Sequence, residues 1–435
     1  MSNQSRREFI KTATLTSLAS LIPMSSCHKK NKQQPNIVLI MADDVGSEVL
    51  GCYGGTSYST PHIDRLAETG VRFTHCYSSA QCAPSRVKIM TGRYQFRTTE
   101  EWGHIPPKEK TFGHVLSSAG YATALAGKWQ MGLLKSDPMH VHKMGFDEYS
   151  CFGWHEGPRY HQPFIYQNGK IRNDVKDKYG PDVYCDFLID FIKRNRNCPF
   201  LAYYPMTVAH EVSNDFWPPP PPGPDGRYQT YGELISVMDQ LVGRIVNTLE
   251  RLGLRENTLI LFTTDNGTPK DFITAIRKGE YIETPVVSKM GDKIVTDGKG
   301  ELTDAGTRIP LIANWAGTSP SGAVCDDLID FSDFMPMLAE LAGTDLPEGV
   351  IIDGKSFAPQ LRGHIGNPRE WVFNQFRGRA WIRTKKWKLY RDGKLFNMEQ
   401  DPREKLPILP DYDTDESLKM RRKLEDYLKQ LNESA

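Results

Sequence analysis

Uninterrupted apolar runs alternate along this chain with segments whose apolar residues recur every three or four positions. Asn36-Ile37-Val38-Leu39-Ile40-Met41, Tyr121–Ala126, Phe200–Tyr204 and Thr258-Leu259-Ile260-Leu261-Phe262-Thr263 are of the first kind, as expected of strands covered on both faces. Thr60 to about Thr69, Thr111–Ser118, Asp182–Asn195 and Tyr231–Leu252 are of the second kind and predict helices. The first of these has Thr60 as a hydroxyl cap, Pro61 at its first position and Gly70 as its stop. Strands alternating with helices predict an α/β fold with a mainly parallel central sheet. After about Gly363 the texture changes. Trp371–Phe376, Trp381–Thr384, Trp387–Tyr390 and Lys394–Asn397 read as short antiparallel strands, with Arg391-Asp392-Gly393 as a turn and Ser417–Leu431 as a closing helix. The expected organisation is a large domain over residues 36–363 and a small α+β domain over 364–435, consistent with a chain too long for a single core.

Composition is that of an ordinary globule, 39% apolar and 25% charged. A net charge of +1 gives no global field to attract nucleic acid or an anionic membrane surface, so any anionic ligand must be held by local cations. Ser5-Arg6-Arg7-Glu8-Phe9-Ile10-Lys11 reads as a twin-arginine export signal, and the apolar run that follows to Ile22 is too short to span a bilayer. Met24-Ser25-Ser26-Cys27 resembles a bacterial lipoprotein cleavage box. Residues 1–26 are therefore set aside as an export signal and 27–35 as a polar tether. The expected location is the periplasm of a bacterium, with membrane attachment only through a lipid on Cys27. The eight cysteines show no zinc-ligand spacing, so no structural zinc is expected, and their disulfide pairing is left open.

Function in such sheets gathers at the carboxyl ends of strands. Asp43-Asp44 follows the first predicted strand and Asp265-Asn266-Gly267 the late one. These hard oxygen donors suit Ca²⁺ or Mg²⁺. Lys128 and His210 also follow strand ends. Cys82-Ala83-Pro84-Ser85-Arg86, with Thr91-Gly92-Arg93 downstream, has no neighbouring histidine to deprotonate a thiol whose ordinary pKa is about 8.5. Pro84 is expected to start a helix, with Ser85 and Arg86 in its first turn, where free N–H groups favour anions. Arg86 is one turn beyond Cys82 and placed to reach back to it. Cys151–Lys170 is rich in aromatics, among them Trp154 and Tyr160, and Trp217 leads into Pro218–Pro222, a stiff extended run. Both read either as surface loops or as the rim of a pocket.

Cys-x-Pro-Ser-Arg followed by Thr-Gly-Arg resembles the signature of the type I, formylglycine-dependent sulfatases, within the alkaline-phosphatase-like superfamily. Further matches run in order from Asn36 to Asp401-Pro402. The resemblance implies that a formylglycine-generating maturase oxidises Cys82 to an aldehyde. It also implies one Ca²⁺ held by Asp43, Asp44, Asp265, Asn266 and the modified residue 82. Lys128 and Lys299 are implied to bind the sulfate, Arg86 to favour the ionised aldehyde hydrate and His210 to protonate the leaving alcohol. The implied reaction is in-line attack on sulfur, a sulfated hemiacetal, and expulsion of sulfate by the second hydroxyl. The chain departs from the family after the lysine, where Lys128-Trp129-Gln130 carries glutamine in place of a histidine. Glutamine takes up no proton, so either Gln130 only orients the hydrate or another group, His155 or His161, assists. The expected substrate is a sulfated mono-, oligo- or polysaccharide, whose apolar ring faces suit an aromatic loop. Two competing readings are a phosphate or phosphonate ester hydrolase of the same superfamily, disfavoured by the single-metal inventory, and a non-catalytic sulfated-glycan binder, opposed by intact Cys82, Arg86, Lys128 and His210.

Overall fold

The computed structural model describes residues 34–98, 104–153, 156–212 and 218–433. The export segment, most of the tether, Trp154, His155 and Trp217 lie outside the described residues. Among those described, ten strands form the main sheet. In chain order these are β1 (Asn36–Ala42), β2 (Val71–Tyr77), β3 (Ala122–Lys128), β4 (Glu148–Phe152), β5 (Tyr166–Gln167), β6 (Lys170–Ile171), β7 (Phe200–Pro205) and β8 (Thr258–Thr264). Two small hairpins follow, β9 (Asp271–Arg277) with β10 (Glu280–Pro285) and β11 (Ser288–Met290) with β12 (Lys293–Val295). The main sheet is completed by β13 (Arg308–Trp315) and β14 (Ala323–Asp330), in the order β14-β2-β13-β8-β1-β7-β3-β4-β5-β6.

β1 shows why the sequence makes a sheet buried on both sides. Ile37, Leu39 and Met41 join one apolar core, whereas Val38, Ile40 and Ala42 join another on the opposite face, as the two-residue alternation of a strand requires. The first core is closed by the helices Cys82–Thr91, Phe112–Ser118 and Phe334–Ala342, the second by Pro61–Glu68, Gly180–Arg194 and Tyr231–Arg251. The last of these starts at a capping box in which Thr230 and Glu233 satisfy each other's backbone N–H. Thr60 does not cap its helix as expected: its hydroxyl accepts from the Gly51 N–H (3.2 Å) and donates to Asp64 (3.2 Å) instead.

The sheet is mainly parallel, with β13 antiparallel to both of its neighbours β8 and β2. The reason is where the chain waits. After β8 the segment through both small hairpins stays at the carboxyl end, where the Gly267 N–H donates to the Gly306 carbonyl (3.1 Å). A strand entered from the end at which β8 left can only run back.

The small C-terminal sheet is antiparallel in the order β15 (Val372–Phe376), β16 (Arg379–Arg383), β17 (Trp387–Tyr390) and β18 (Leu395–Asn397). One face packs Phe373, Ile382 and Leu389 on Leu424 and Leu428 of the helix Asp415–Glu433. The other packs Val372, Phe376 and Trp381 on Tyr77, Ala80 and Leu302 of the large unit. Polar groups reinforce that second contact. The Leu302 carbonyl accepts from Trp381 Nε1 (2.7 Å), Lys388 Nζ (2.8 Å) and the Tyr390 hydroxyl (3.3 Å). Arg383 grips both oxygens of Asp304 at 2.7 and 2.9 Å. Among the described residues no helix is long and apolar enough to cross a membrane.

Gly127 is the backbone position on which the end of β3 depends. It has φ +121°, and a Cβ there would lie 2.1 Å from the Pro205 carbonyl oxygen of β7. Gly127→Ala is expected to lose at least about 2 kcal/mol of stability from strain and steric conflict, measured by denaturant unfolding. Gly253→Ala, with φ +66° but open space around it, should lose about 1 kcal/mol.

Candidate active site

Strand register brings the charged residues together. Ala42 of β1 lies opposite Thr264 of β8, so Asp43-Asp44 and Asp265-Asn266 leave the sheet side by side, tied by the Asp265 N–H donating to the Ala42 carbonyl (3.1 Å). The segment after β7 runs alongside: the Asp43 N–H donates to Val208 O (2.9 Å) and the Ala209 N–H to Asp43 O (2.8 Å), which delivers His210 to the same place. β3 ends in Lys128, whose Nζ bonds both oxygens of Asp43 at 2.9 and 2.7 Å. Lys299 is held between two walls, since its N–H donates to Thr268 O (3.0 Å) and that of Gly300 to Ala80 O (2.7 Å).

Cys82 stands on the third side. The helix starts at Cys82 itself, with Gln81 as its cap residue and Pro84 at the third position. The expectation that Pro84 opens the helix is thus corrected by two residues. Proline fits there because first-turn N–H groups have no partner within the helix. Arg86 therefore stands in the second turn, and its closest bond is Nη2 to Asp265 Oδ2 at 2.7 Å, with Asp43 Oδ1 at 3.7 Å. Ligand atoms of Asp43, Cys82 and Asp265 lie within 4.8 Å of one another, all three residues buried.

The electrostatics follow from burial and from these pairs. Burial alone would push the Asp43 carboxyl up, but Lys128, His210, Arg86 and Arg159 outweigh it and hold the group well below the usual carboxylate range. Asp265 goes the other way: burial and the neighbouring charge of Asp43 push it up against the pull of Arg86 and Lys128. Asp44 adopts φ +61° and is held by Lys299 Nζ (2.6 Å), Asn266 Nδ2 (2.8 Å) and a bond from its own N–H to Asp265 (3.0 Å). Burial pushes the Cys82 thiol up, and the nearby lysines do not reverse it. An unmodified cysteine here is not an activated thiolate.

His210 Nδ1 lies 2.8 Å from the Glu211 carbonyl, so that nitrogen donates and Nε2 carries the lone pair, which receives Lys299 Nζ at 3.2 Å. Burial first, then Lys299, Arg159 and Lys128, hold the imidazole well below its ordinary value. It is neutral at physiological pH.

These residues suit a hard divalent cation. Asn266 is buried and donates from Nδ2 to Asp44, yet its Oδ1 has no hydrogen-bond partner. A buried amide oxygen without a donor, beside three carboxylates, is the environment of a cation ligand rather than of a packed core.

Of the residues singled out in the sequence, Asp43, Asp44, Cys82, Arg86, Lys128, His210, Asp265, Asn266 and Lys299 converge. Gln130 lies two residues past the end of β3, while Trp129 between it and Lys128 turns into the core and donates to His140 (3.2 Å). Gln130 Oε1 is buried without a partner. His161 lies instead beside Pro220 and Pro221, with Arg159 and Tyr160. Arg159 was not legible in the sequence: its Nη1 lies 3.9 Å from Asp43 and its guanidinium 4.6 Å from the Phe152 ring centre, a place no periodicity predicts.

Comparison with known proteins agrees with this geometry. The family model described as Sulfatase matches residues 35–344. N-acetylgalactosamine-6-sulfatase of Rattus norvegicus is 31% identical over 413 residues, spanning 83% of this chain and 74% of its own. Steryl-sulfatase of Rattus norvegicus is 28% identical over 439 residues, spanning 80% and 74%. Among solved structures, that of Ps i-CgsB in complex with k-i-k-neocarrahexaose superposes with a TM-score of 0.72 at 25% identity, over 92% of each chain.

Calcium titrated into chelator-stripped protein is expected to raise its thermal midpoint, by the equivalent of about 2.7 kcal/mol at a hundredfold excess over Kd. Asn266→Ala should weaken calcium binding by about tenfold or more in calorimetric titration. A midpoint indifferent to calcium would remove the cation from this site.

Proposed function

The chain belongs to the sulfatase family and hydrolyses sulfuric esters, and we propose that it removes sulfate from a sulfated carbohydrate, using a formylglycine made from Cys82 and one bound Ca²⁺. The observation that carries this reading is the convergence of Cys82 with Asp43 and Asp265 inside a ring of Lys128, Arg86 and Lys299. Asp43, Asp44, Asp265 and Asn266 would hold the cation, which when bound supplies positive charge to the sulfuryl oxygens. Oxidation of the Cys82 thiol by a maturase supplies an aldehyde, whose hydrate offers one hydroxyl to attack sulfur and a second to expel sulfate.

The chain's own residues do the rest. Lys128 and Lys299 present Nζ groups to the sulfuryl oxygens, in a pocket dry enough for each charge to act strongly. Arg86 holds Asp265 in place through its 2.7 Å bond and opposes, without reversing, the rise in its proton affinity. Gln130 Oε1, unpartnered in the substrate-free site, accepts a hydrogen bond from a hydroxyl at residue 82 and orients it without taking its proton. His210 acts at Nε2. The imidazole is neutral without substrate, and a sulfate ester brings in the negative charge that raises its proton affinity. The protonated ring then donates to the departing sugar oxygen.

A carbohydrate substrate is supported by the N-acetylgalactosamine-6-sulfatase relative and by the neocarrahexaose bound to Ps i-CgsB. N-acetylgalactosamine 6-sulfate is therefore the first ester to assay, ahead of a wider screen of sulfated mono- and oligosaccharides that reads released sulfate. The arginine pair in Ser5–Lys11 and the small residues before Cys27 support export, with periplasmic residence or lipid anchoring.

Protein produced with a maturase should yield a residue 76–90 peptide carrying an aldehyde at position 82, trapped by hydrazide in mass spectrometry. An unmodified thiol in fully active enzyme would overturn the nucleophile. His210→Ala should slow hydrolysis of a sugar sulfate by about 10²- to 10⁴-fold while slowing an aryl sulfate far less, because a phenolate departs with little proton help. Equal losses on both would remove the leaving-group role.

A further inference from the structure

The hairpin β15–β16 turns through Arg377-Gly378, with Phe376 paired to Arg379. A cavity of about 460 Å³ opens between this turn, Gln95 and Gln81. Gln81 immediately precedes Cys82, and its Nε2 would lie 3.3 Å from a Cβ built on Gly300, the residue after Lys299. One wall of the cavity therefore connects directly to the nucleophile position and to a sulfate-facing lysine, while the opposite wall comes from the small C-terminal sheet. The volume falls in the range of small-molecule sites, roughly 300–1,000 Å³.

Beside the ring of Phe376, three of its lining side chains are polar. Among the described residues the side-chain amides of Gln81 and Gln95 have no hydrogen-bond partner, and neither Arg377 nor Arg379 makes an ion pair. Arg377 is exposed and stacks on the Phe376 ring, 5.0 Å from guanidinium carbon to ring centre. A guanidinium held against a ring keeps its N–H groups available for bidentate pairing with a carboxylate or sulfate. The chain has almost no net charge, so an exposed arginine without an ion-pair partner at this cavity is a local feature.

We propose that this cavity is a second saccharide subsite, adjoining the one that holds the sulfated ring, and that Arg377 pairs there with an anionic substituent on the neighbouring sugar. Gln81 and Gln95 exchange hydrogen bonds with that sugar's hydroxyls. The inference rests on the carbohydrate reading above and narrows it to an oligosaccharide with a negative charge next to the ring that loses sulfate. A uronic carboxylate and a second sulfate share the required chemistry.

The test compares wild type, Arg377→Ala and Arg377→Lys on five esters. These are 4-nitrocatechol sulfate, N-acetylgalactosamine 6-sulfate (or the best sulfated sugar from the screen), and that sugar joined to a uronic acid, to a sulfated neutral hexose or to an unsulfated one. Arg377→Ala should lower kcat/KM by about 10- to 100-fold on an anionic disaccharide, mainly through KM, and leave the aryl ester, the monosaccharide and the neutral disaccharide unchanged. Arg377→Lys should recover part of the loss. Whichever anionic disaccharide shows the drop identifies carboxylate or sulfate as the partner. Unchanged kinetics on both anionic disaccharides, or an equal loss on the aryl ester, would overturn the subsite. Aryl ester turnover with no saccharide desulfated would instead sink the carbohydrate reading, and the subsite with it.

Discussion

Three carboxylates and four cations, Lys128, Arg86, Lys299 and Arg159, share one almost dry space at the ends of β1, β3 and β8, each lowering the cost of burying its partners. Transferring a single ion of this kind from water costs several kcal/mol after relaxation. Asp43 is affordable only because Lys128 takes both of its oxygens, Asp265 because Arg86 meets it at 2.7 Å, Asp44 because Lys299 and Asn266 divide it between them. The two acids are not equivalent. Asp43 is held firmly as a carboxylate by Lys128, His210, Arg86 and Arg159, while burial and the charge of Asp43 push Asp265 toward its neutral form. The rest of the fold answers to this demand, from the parallel register of β1 and β8 to the bare backbone of Gly127 where β3 passes β7.

Much of this was legible in the sequence because it rests on local pattern. The run Asn36–Met41 followed by two acids, and Thr258–Thr263 followed by Asp265-Asn266, announce strand ends with chemistry on them, and the alternating textures give the sheet, its helices and the small C-terminal unit. Features set by tertiary approach were not legible. Arg159 sits in an irregular loop and becomes a site residue only because Phe152 and Asp43 close over it. β13 runs antiparallel because of the end at which its preceding hairpins lie, which no residue in β13 encodes. Thr60 precedes a helix as a cap should, yet its hydroxyl is taken by Gly51 and Asp64. Cys82 opens its helix two residues before the proline that seemed to punctuate it.

Gln130 shows how a departure from a family pattern gains physical meaning. Trp129, between Gln130 and Lys128, is drawn into the core and held by His140, and the glutamine's own Oε1 is buried without a partner. A glutamine there offers a hydrogen-bond acceptor where a histidine could also take up a proton. The division of labour shifts accordingly. In the proposed reaction proton transfer is assigned to His210, whose tautomer is set by the Glu211 carbonyl, and orientation to the unpartnered amide oxygen of Gln130.

The grip on the Leu302 carbonyl, three residues beyond Lys299, bears on the order in which the chain is made. Synthesis runs from the amino end, so Asp43, Asp44 and Lys128 leave the ribosome well before Trp381, Lys388 and Tyr390. Until those three donors reach Leu302, the strand of chain that carries Lys299 has water as its only anchor on that side. A nascent polypeptide can thus assemble its central sheet before it has the donors that fasten the segment carrying Lys299, because those donors come from the later-made small sheet.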